Sequence, residues 1–386
     1  MLLVCLGPCG HSQASGAHRP NWSKELKGYG WTAPKPESNK AYFRDFSLGK
    51  LAATDINSRI VFVKNDVIVA YHTKQEGQDW RTASRCLQAF FINANDGALL
   101  TTLEWPSITR GSESDLIDSE SRLIPVSDGR FLVLANRTMM LYGDNRELLK
   151  KKKLESVESG DLWSVQSVAN GDKIFLRHQS AAEQQTDYFW LTSDTLLPFS
   201  QMPGPRGPNF SVQATAGDDF VITTVGFSGP GITTGIAKAS VDGSTKIICS
   251  EQFCREAGGD ATSLHTVAVS GRRGFGIVDT EHGLLWSKQI PSSSNANDFQ
   301  FGRARAAMSA QEFAIWMTSM HPETFDGVRV GKTPTLLVYD ASSGRLLFSI
   351  PIQRKSGNFD FALSPDGTRL AIFDGANLSL YTISHS

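Results

Sequence analysis

The chain has 386 residues, 40% hydrophobic and 20% charged, with a net charge of −1. That balance suits a globular protein and predicts no electrostatic attraction to nucleic acid or to an anionic membrane. No apolar run is long enough to span a bilayer, and 34 glycines suit an all-β chain with many turns.

Met1–Cys9 is apolar, and Ser12-Gln13-Ala14 resembles the small-x-small site of a secretory signal, although a basic start is missing. Residues 1–14 read as a signal peptide or as a disordered tail. The expectation is export to a periplasmic or secreted location, with the mature chain beginning near Ser15; a cytoplasmic protein is the alternative. Residues 15–40 contain Pro20, Gly28, Gly30, Pro34 and Pro36 and read as an irregular lead-in. Ala41-Tyr42-Phe43-Arg44-Asp45-Phe46 alternates apolar and polar side chains, as a half-buried strand does.

From Asn65 onward two signals alternate. The first is a Gly/Asn/Asp/Ser turn followed by an apolar run of strand length. It occurs at Lys64–Asp66, Ser127–Gly129, Asn170–Asp172, Ala216–Asp218, Ser270-Gly271, Ser309–Gln311 and Ser364–Gly367. The second is a hairpin with a polar turn, as at Phe90–Trp105, Met139–Lys152, Tyr188–Ser200, Ile236–Cys249, Gly276–Ile290 and Leu336–Ile350. Asp96-Gly97 and Asp242-Gly243 carry the commonest hairpin turn chemistry. The spacing averages about 50 residues, the range of propeller blades.

Each period supplies up to four antiparallel strands, here called A to D from first to last. The reading is a single all-β domain over residues 41–386. It is a seven-bladed β-propeller of four-stranded antiparallel blades. The last copy stops after its third strand at Ile383. An open edge there would invite pairing with other chains. Closure by an N-terminal strand pairing with the last blade solves this, and Ala41–Phe46 is assigned that role.

Of the five cysteines, Cys249 and Cys254 are close enough in sequence to pair locally or to remain two thiols. Lys150–Lys153 falls in an outermost strand, where lysine blocks edge-to-edge pairing.

Ser364-Pro365-Asp366-Gly367-Thr368-Arg369-Leu370-Ala371-Ile372 resembles the blade motif of bacterial Trp-Asp-like, Tyr-Val-Thr-Asn and TolB-type propellers. Val338-Tyr339-Asp340-Ala341-Ser342-Ser343-Gly344 resembles the hairpin that follows it. The resemblance covers the final blade and a half. It implies a rigid toroid with a central channel, of the kind that scaffolds partners or binds ligands at the channel mouth. Asp279–Trp286 resembles one copy of the quinoprotein-dehydrogenase motif, one residue short; the plain alternative is a tryptophan packed between blades.

The functional expectation is a binding or scaffold module contacting a protein or small ligand on the face of the D–A and B–C connections. A hydrolase or lactonase using the channel mouth is the alternative. Long connections on that face are His72–Arg85, Glu104–Ser121, Val225–Thr234, Glu251–Ala261 and Thr318–Pro334. They supply the candidate binding residues Trp80, Arg81, Arg110, Phe227, Arg255, His321 and Arg329. No spacing identifies a catalytic set, a metal site or a cofactor. No nucleic-acid partner is expected, and the protein is expected to be a monomer.

Overall fold

The computed structural model describes residues 18–31, 59–76, 84–108, 122–154, 162–167, 171–179, 186–203, 210–214, 220–224, 235–240, 244–250, 254, 258–262, 265–271, 273–291, 294–295, 298–302, 304–307, 311–352, 359–374 and 377–384. They form an all-β, propeller-like array of antiparallel sheets. After β1 (Trp22–Glu25), sheet 1 holds β2 (Arg59–Lys64), β3 (Val67–Glu76), β4 (Ser84–Asn93) and β5 (Leu99–Ile108). Sheet 2 holds β6 (Arg122–Pro125), β7 (Phe131–Ala135), β8 (Thr138–Tyr142) and β9 (Leu148–Lys153). Sheet 3 holds β10 (Leu162–Ser167), β11 (Lys173–Gln179), β12 (Thr186–Thr192) and β13 (Pro198–Pro203). Sheet 4 holds β14 (Phe210–Ala214), β15 (Phe220–Thr224), β16 (Gly235–Ala239) and β17 (Thr245–Cys249). Sheet 5 holds β18 (Gly258–Ala261), β19 (Thr266–Gly271), β20 (Gly274–Asp279) and β21 (Gly283–Gln289).

Sheet 6 departs from the pattern. Its inner strand is broken into β22 (Phe299–Phe301) and β23 (Arg305–Ala306), both paired with β24 (Glu312–Ser319). A separate ribbon of β25 (Glu323–Phe325) and β26 (Val328–Val330) intervenes before β27 (Thr335–Asp340) and β28 (Leu346–Pro351). Sheet 7 holds β29 (Phe359–Leu363), β30 (Arg369–Asp374) and β31 (Asn377–Thr382), with β1 as its fourth strand. Among the described residues there are six regular four-stranded blades, not the seven expected, and sheet 6 is an irregular five-stranded sheet.

The strand that completes the last blade is therefore Trp22–Glu25, in register Trp22↔Leu380 to Glu25↔Asn377. Ala41–Phe46, to which that role was assigned, lies outside the described residues, and the supposed irregular lead-in supplies the strand instead. Beyond β1 a 3₁₀ turn, Leu26–Tyr29, ends at Gly30 with φ +91°. It drops Leu26 and Trp31 into the core between sheets 7 and 1, against Phe90, Phe373 and Leu378. The lead-in reads as irregular because β1 is only four residues long and three of them are polar.

Apolar clusters fill the spaces between sheets 1 and 2, 2 and 3, 4 and 5, 5 and 6, and 6 and 7. The innermost strands lie side by side in the order β29, β2, β6, β10, and again β14, β18, β23, β29. Strands buried on both faces need continuous apolar runs, and Phe131–Ala135 is buried at every position.

The hairpin turns differ in detail from the two-residue type. At Gly97, Arg146, Leu196, Gly283 and Gly344 the residue after the turn has positive φ, and the C–D pairing shifts register beside it. This is a type I turn followed by a bulge residue in the left-handed region. In two sheets the glycine also makes room for a neighbour's tryptophan. Trp22 Nε1 donates to Ala94 O and Trp286 Nε1 to Ala341 O, each at 2.8 Å. A Cβ on Gly97 or Gly344 would lie 2.9 or 3.0 Å from the respective ring. The tryptophan of Asp279–Trp286 thus packs between sheets, as the plain reading of that motif holds.

Cys249 and Cys254 are joined at an S–S distance of 2.05 Å, which settles the alternative left open by their spacing. Cys254 is fully buried, so the bond ties the outer strand of sheet 4 to the approach of sheet 5. In unreduced, denatured protein, Cys249 and Cys254 are expected to resist alkylation while Cys86 reacts. Peptide mass mapping with and without reductant checks this; free labelling of both before reduction would refute the bond.

Candidate functional site

The two ends of the array differ in what their side chains are doing. On the A–B and C–D turn face, polar side chains clasp one sheet to the next. Arg369 of sheet 7 donates to Asn65 O and Asn95 Oδ1 of sheet 1, at 3.2 and 3.0 Å. Lys64 of sheet 1 reaches Asp144 of sheet 2 at 2.8 Å, and Arg130 of sheet 2 pairs with Asp194 of sheet 3. Turn carboxylates are committed as well. Burial pushes the Asp340 carboxyl up, but donors from Ser342 and Ser343 outweigh it and hold the group below its ordinary value.

The opposite end carries an open cleft on sheet 6. β24 alternates strictly: Phe313, Ile315 and Met317 join the cluster shared with sheet 5, while Ala314 and Trp316 pack toward sheet 7. β22 and β23 are separated at Gly302, whose N–H donates to Trp316 O at 2.8 Å. A Cβ at Gly302 would lie 2.0 Å from Trp316 Nε1, so the missing side chain is what lets the indole lie there.

Past Ser319 the chain leaves the sheet and returns through the β25–β26 ribbon. Asp326 and Gly327 both have positive φ, the requirement of a tight hairpin turn. Phe325 and Val330 are buried against Phe275, Phe299 and Tyr339, and Lys288 Nζ holds Asp326 Oδ1 at 3.0 Å. The ribbon is thus a packed wall. Beside it, Gln300, Trp316, Thr318, Lys332, Thr333, Pro334 and Ile352 line an open cleft of about 490 Å³. Ligand pockets commonly run from about 300 to 1,000 Å³. Trp316, Pro334 and Ile352 offer apolar surface; Lys332 offers a cation; Gln300, Thr318 and Thr333 offer amide and hydroxyl groups.

A second polar group sits on the innermost strands. Asp360 of β29 is buried, accepts a hydrogen bond from Ile60 N at 2.9 Å and pairs with Arg305. Arg305 Nη1 also donates to Phe361 O at 2.8 Å, and its guanidinium lies 5.0 Å from the Phe361 ring centroid. Burial pushes the Asp360 carboxyl up, opposed by Arg305 and Arg59. Asp360 therefore joins the inner strands of sheets 6, 7 and 1, and its contacts are those of a structural link.

His72 is buried beneath Trp31, the rings 4.2 Å apart. Glu104 can only accept, so the Gln88 amide turns its nitrogen to Glu104 and its oxygen to His72. The imidazole then carries its proton on Nε2, and burial holds its pKa below the ordinary value. His72 belongs to a strand of ten residues, not to the connection His72–Arg85 expected there. β5 likewise runs to Ile108 and β18 begins at Gly258, shortening two more of those connections.

Of the candidate residues, His321 and Arg329 are described. Both are exposed on the ribbon arm, and neither lines the cleft. Trp80, Arg81, Arg110, Phe227 and Arg255 lie outside the described residues. Thr318, Lys332, Thr333 and Pro334 do fall within the connection Thr318–Pro334, but Gln300, Trp316 and Ile352 were missed. Gln300 and Trp316 sit inside strands, and Ile352 directly follows one, where an isolated residue gives no signal of its own. Among the described residues, no three or more His, Cys, Asp or Glu side chains gather as metal ligands. No helix there is long and apolar enough to cross a membrane. Compared with known proteins, the chain matches no family and no curated relative.

Proposed function

We propose that the chain is a binding module. Its seven sheets form a closed ring, and it takes a small polar ligand bearing an anionic group in the cleft of sheet 6. The observation that carries this reading is the cleft itself: an indole plane, an ammonium and three hydrogen-bonding side chains around one open volume beside a packed ribbon. The clasps on the other face favour this end, because side chains engaged between sheets have less to offer a ligand. The two runs of neighbouring inner strands that meet at β29, and the pairing of β1 with β31, support ring closure. The Cys249–Cys254 bond supports export, because disulfides persist in oxidising compartments.

Saturation-transfer NMR with a panel of sugar acids and their uncharged parents tests the reading. Binding of one or more acids is expected, weakened about tenfold or more by Lys332→Ala and by Trp316→Leu, since a charged hydrogen bond is worth roughly 1.5–3 kcal/mol. Gly302→Ala is expected to weaken binding too, with a shifted tryptophan emission, because the indole must move. His321→Ala and Arg329→Ala leave binding unchanged. Acid binding that survives all three cleft substitutions, or no binding at all, would refute the assignment.

A further inference from the structure

The outer edges of sheets 2 and 3 carry more than edge protection requires. β9 reads Leu148-Leu149-Lys150-Lys151-Lys152-Lys153 and is exposed along its length except at Lys152. Lys152 turns toward sheet 3, its Nζ donating to Leu196 O at 3.1 Å. That bond brings β9 beside the segment that continues into Leu197 and Phe199. The exposures of Leu148, Leu149, Leu197 and Phe199 are 50%, 45%, 60% and 45%. Lys173 Nζ lies 5.2 Å from the Phe199 ring centroid. Lys150, Lys151 and Lys153 have no ion-pair partner among the described residues.

Lysine on an outer strand deters edge pairing. Four large apolar side chains exposed at the outer edges of these two neighbouring sheets work against that purpose, because they leave adhesive surface in water. The combination of exposed Leu and Phe with unpaired lysines is instead the chemistry of a surface that meets anionic headgroups and the acyl boundary beneath them. We propose that this edge docks the protein onto an anionic lipid bilayer.

The alternative occupant, an acidic strand added to β9, fits less well. It would cover one sheet edge and leave Leu197 and Phe199 on the neighbouring sheet in water. On β13 itself, Pro198 and Pro203 lack the N–H groups that an added strand would use. A bilayer surface covers both sheets at once. The near-zero net charge does not oppose this, because charges separated by more than a Debye length, about 8 Å at physiological salt, act independently. The expectation of no attraction to an anionic membrane, drawn from the charge sum, is thereby revised for this patch.

Cosedimentation of the full chain with phosphatidylcholine vesicles, with and without phosphatidylglycerol, tests the proposal. Binding is expected only with phosphatidylglycerol and is expected to fall with added salt. Charge reversal at Lys150, Lys151 and Lys153 should weaken it about tenfold or more. Leu197→Ser with Phe199→Ser should weaken it even at low salt, while thermal melting shows both variants folded, since every substituted side chain is exposed. Absence of binding to anionic vesicles, or binding indifferent to both variants, overturns the proposal. So does capture of soluble polyglutamate as tight as vesicle binding and independent of Leu197 and Phe199, which would assign the patch to an acidic protein.

Discussion

Deleting the chain through Trp31 is expected to remove much of the protein's stability and to make it aggregate. Leu26 is fully buried and Trp31 is 2% exposed, both in the core between sheets 7 and 1. Trp31→Ala alone should cost about 3–5 kcal/mol, the range for emptying a buried aromatic site. Whole-domain stability is typically about 5–15 kcal/mol, so this single change is a large fraction of it. The truncation adds two losses. β31 loses the partner that pairs with it from Trp22 to Glu25, and its exposed backbone becomes a template for other chains. Ala94 O loses the indole donor of Trp22. Urea unfolding followed by tryptophan fluorescence measures the first effect, and light scattering the second. Trp31→Phe should keep most of the stability because it refills most of the space. A truncated protein with the parent's midpoint and no added scattering would show that β1 does not hold the last sheet.

The second large effect is expected at Asp360. Its side chain is 5% exposed and connects three inner strands through Ile60 N and Arg305. Asp360→Ala leaves Ile60 N–H without its acceptor and Arg305 without its counter-charge. Breaking a buried pair costs about 3–5 kcal/mol. Arg305 is 30% exposed and can recover some hydration, which brings the expected loss to about 2–4 kcal/mol. Asp360→Asn keeps an acceptor for Ile60 and should cost less than Asp360→Ala. Hydrogen exchange offers a local readout: the Ile60 amide should exchange faster in the alanine variant and stay protected in the asparagine one. Equal loss in both would mean that the charge pair, and not the link to Ile60, supplies the stability.

The pattern of elements was legible because it is written in neighbours along the chain. Ser364–Gly367 forms a turn from its own atoms: Ser364 Oγ and Thr368 N both donate to Asp366 Oδ1, at 2.6 and 3.1 Å, and Gly367 takes φ +71°. Asp340 organises Ser342 and Ser343 in the same way. Such turns recur at a blade-like period, and the apolar runs between them need only a strand's length. The bulge beside each hairpin turn was harder to foresee. Arg146 and Leu196 adopt positive φ without being glycine; Leu196 does so while buried between sheets 2 and 3, a gain that only packing supplies.

The candidate site was legible as a stretch and not as a set of residues. Thr318–Pro334 stood out by length, and its polar ends Thr318, Lys332 and Thr333 do reach the cleft. His321 and Arg329 lie in that stretch but are exposed and do not line the cleft, while Phe325 and Val330 are buried in the core. Gln300 and Trp316 come from two strands and Ile352 from just past β28, and no local pattern joins them.

By itself, then, the sequence determined an all-β chain of repeated antiparallel units, because turn chemistry and side-chain alternation act over a few residues and survive in any context. Tertiary structure alone decided which segment completes the last sheet, where Trp316 rests and which faces of β9 meet water. Trp22–Glu25 has one apolar residue and no strand signature, and it becomes a strand because β31 presents an unpaired edge beside a core that Leu26 and Trp31 fill. Trp316 lies where Gly302 leaves room for it. Those choices depend on shape and burial across sheets far apart in the chain, which local propensity does not encode.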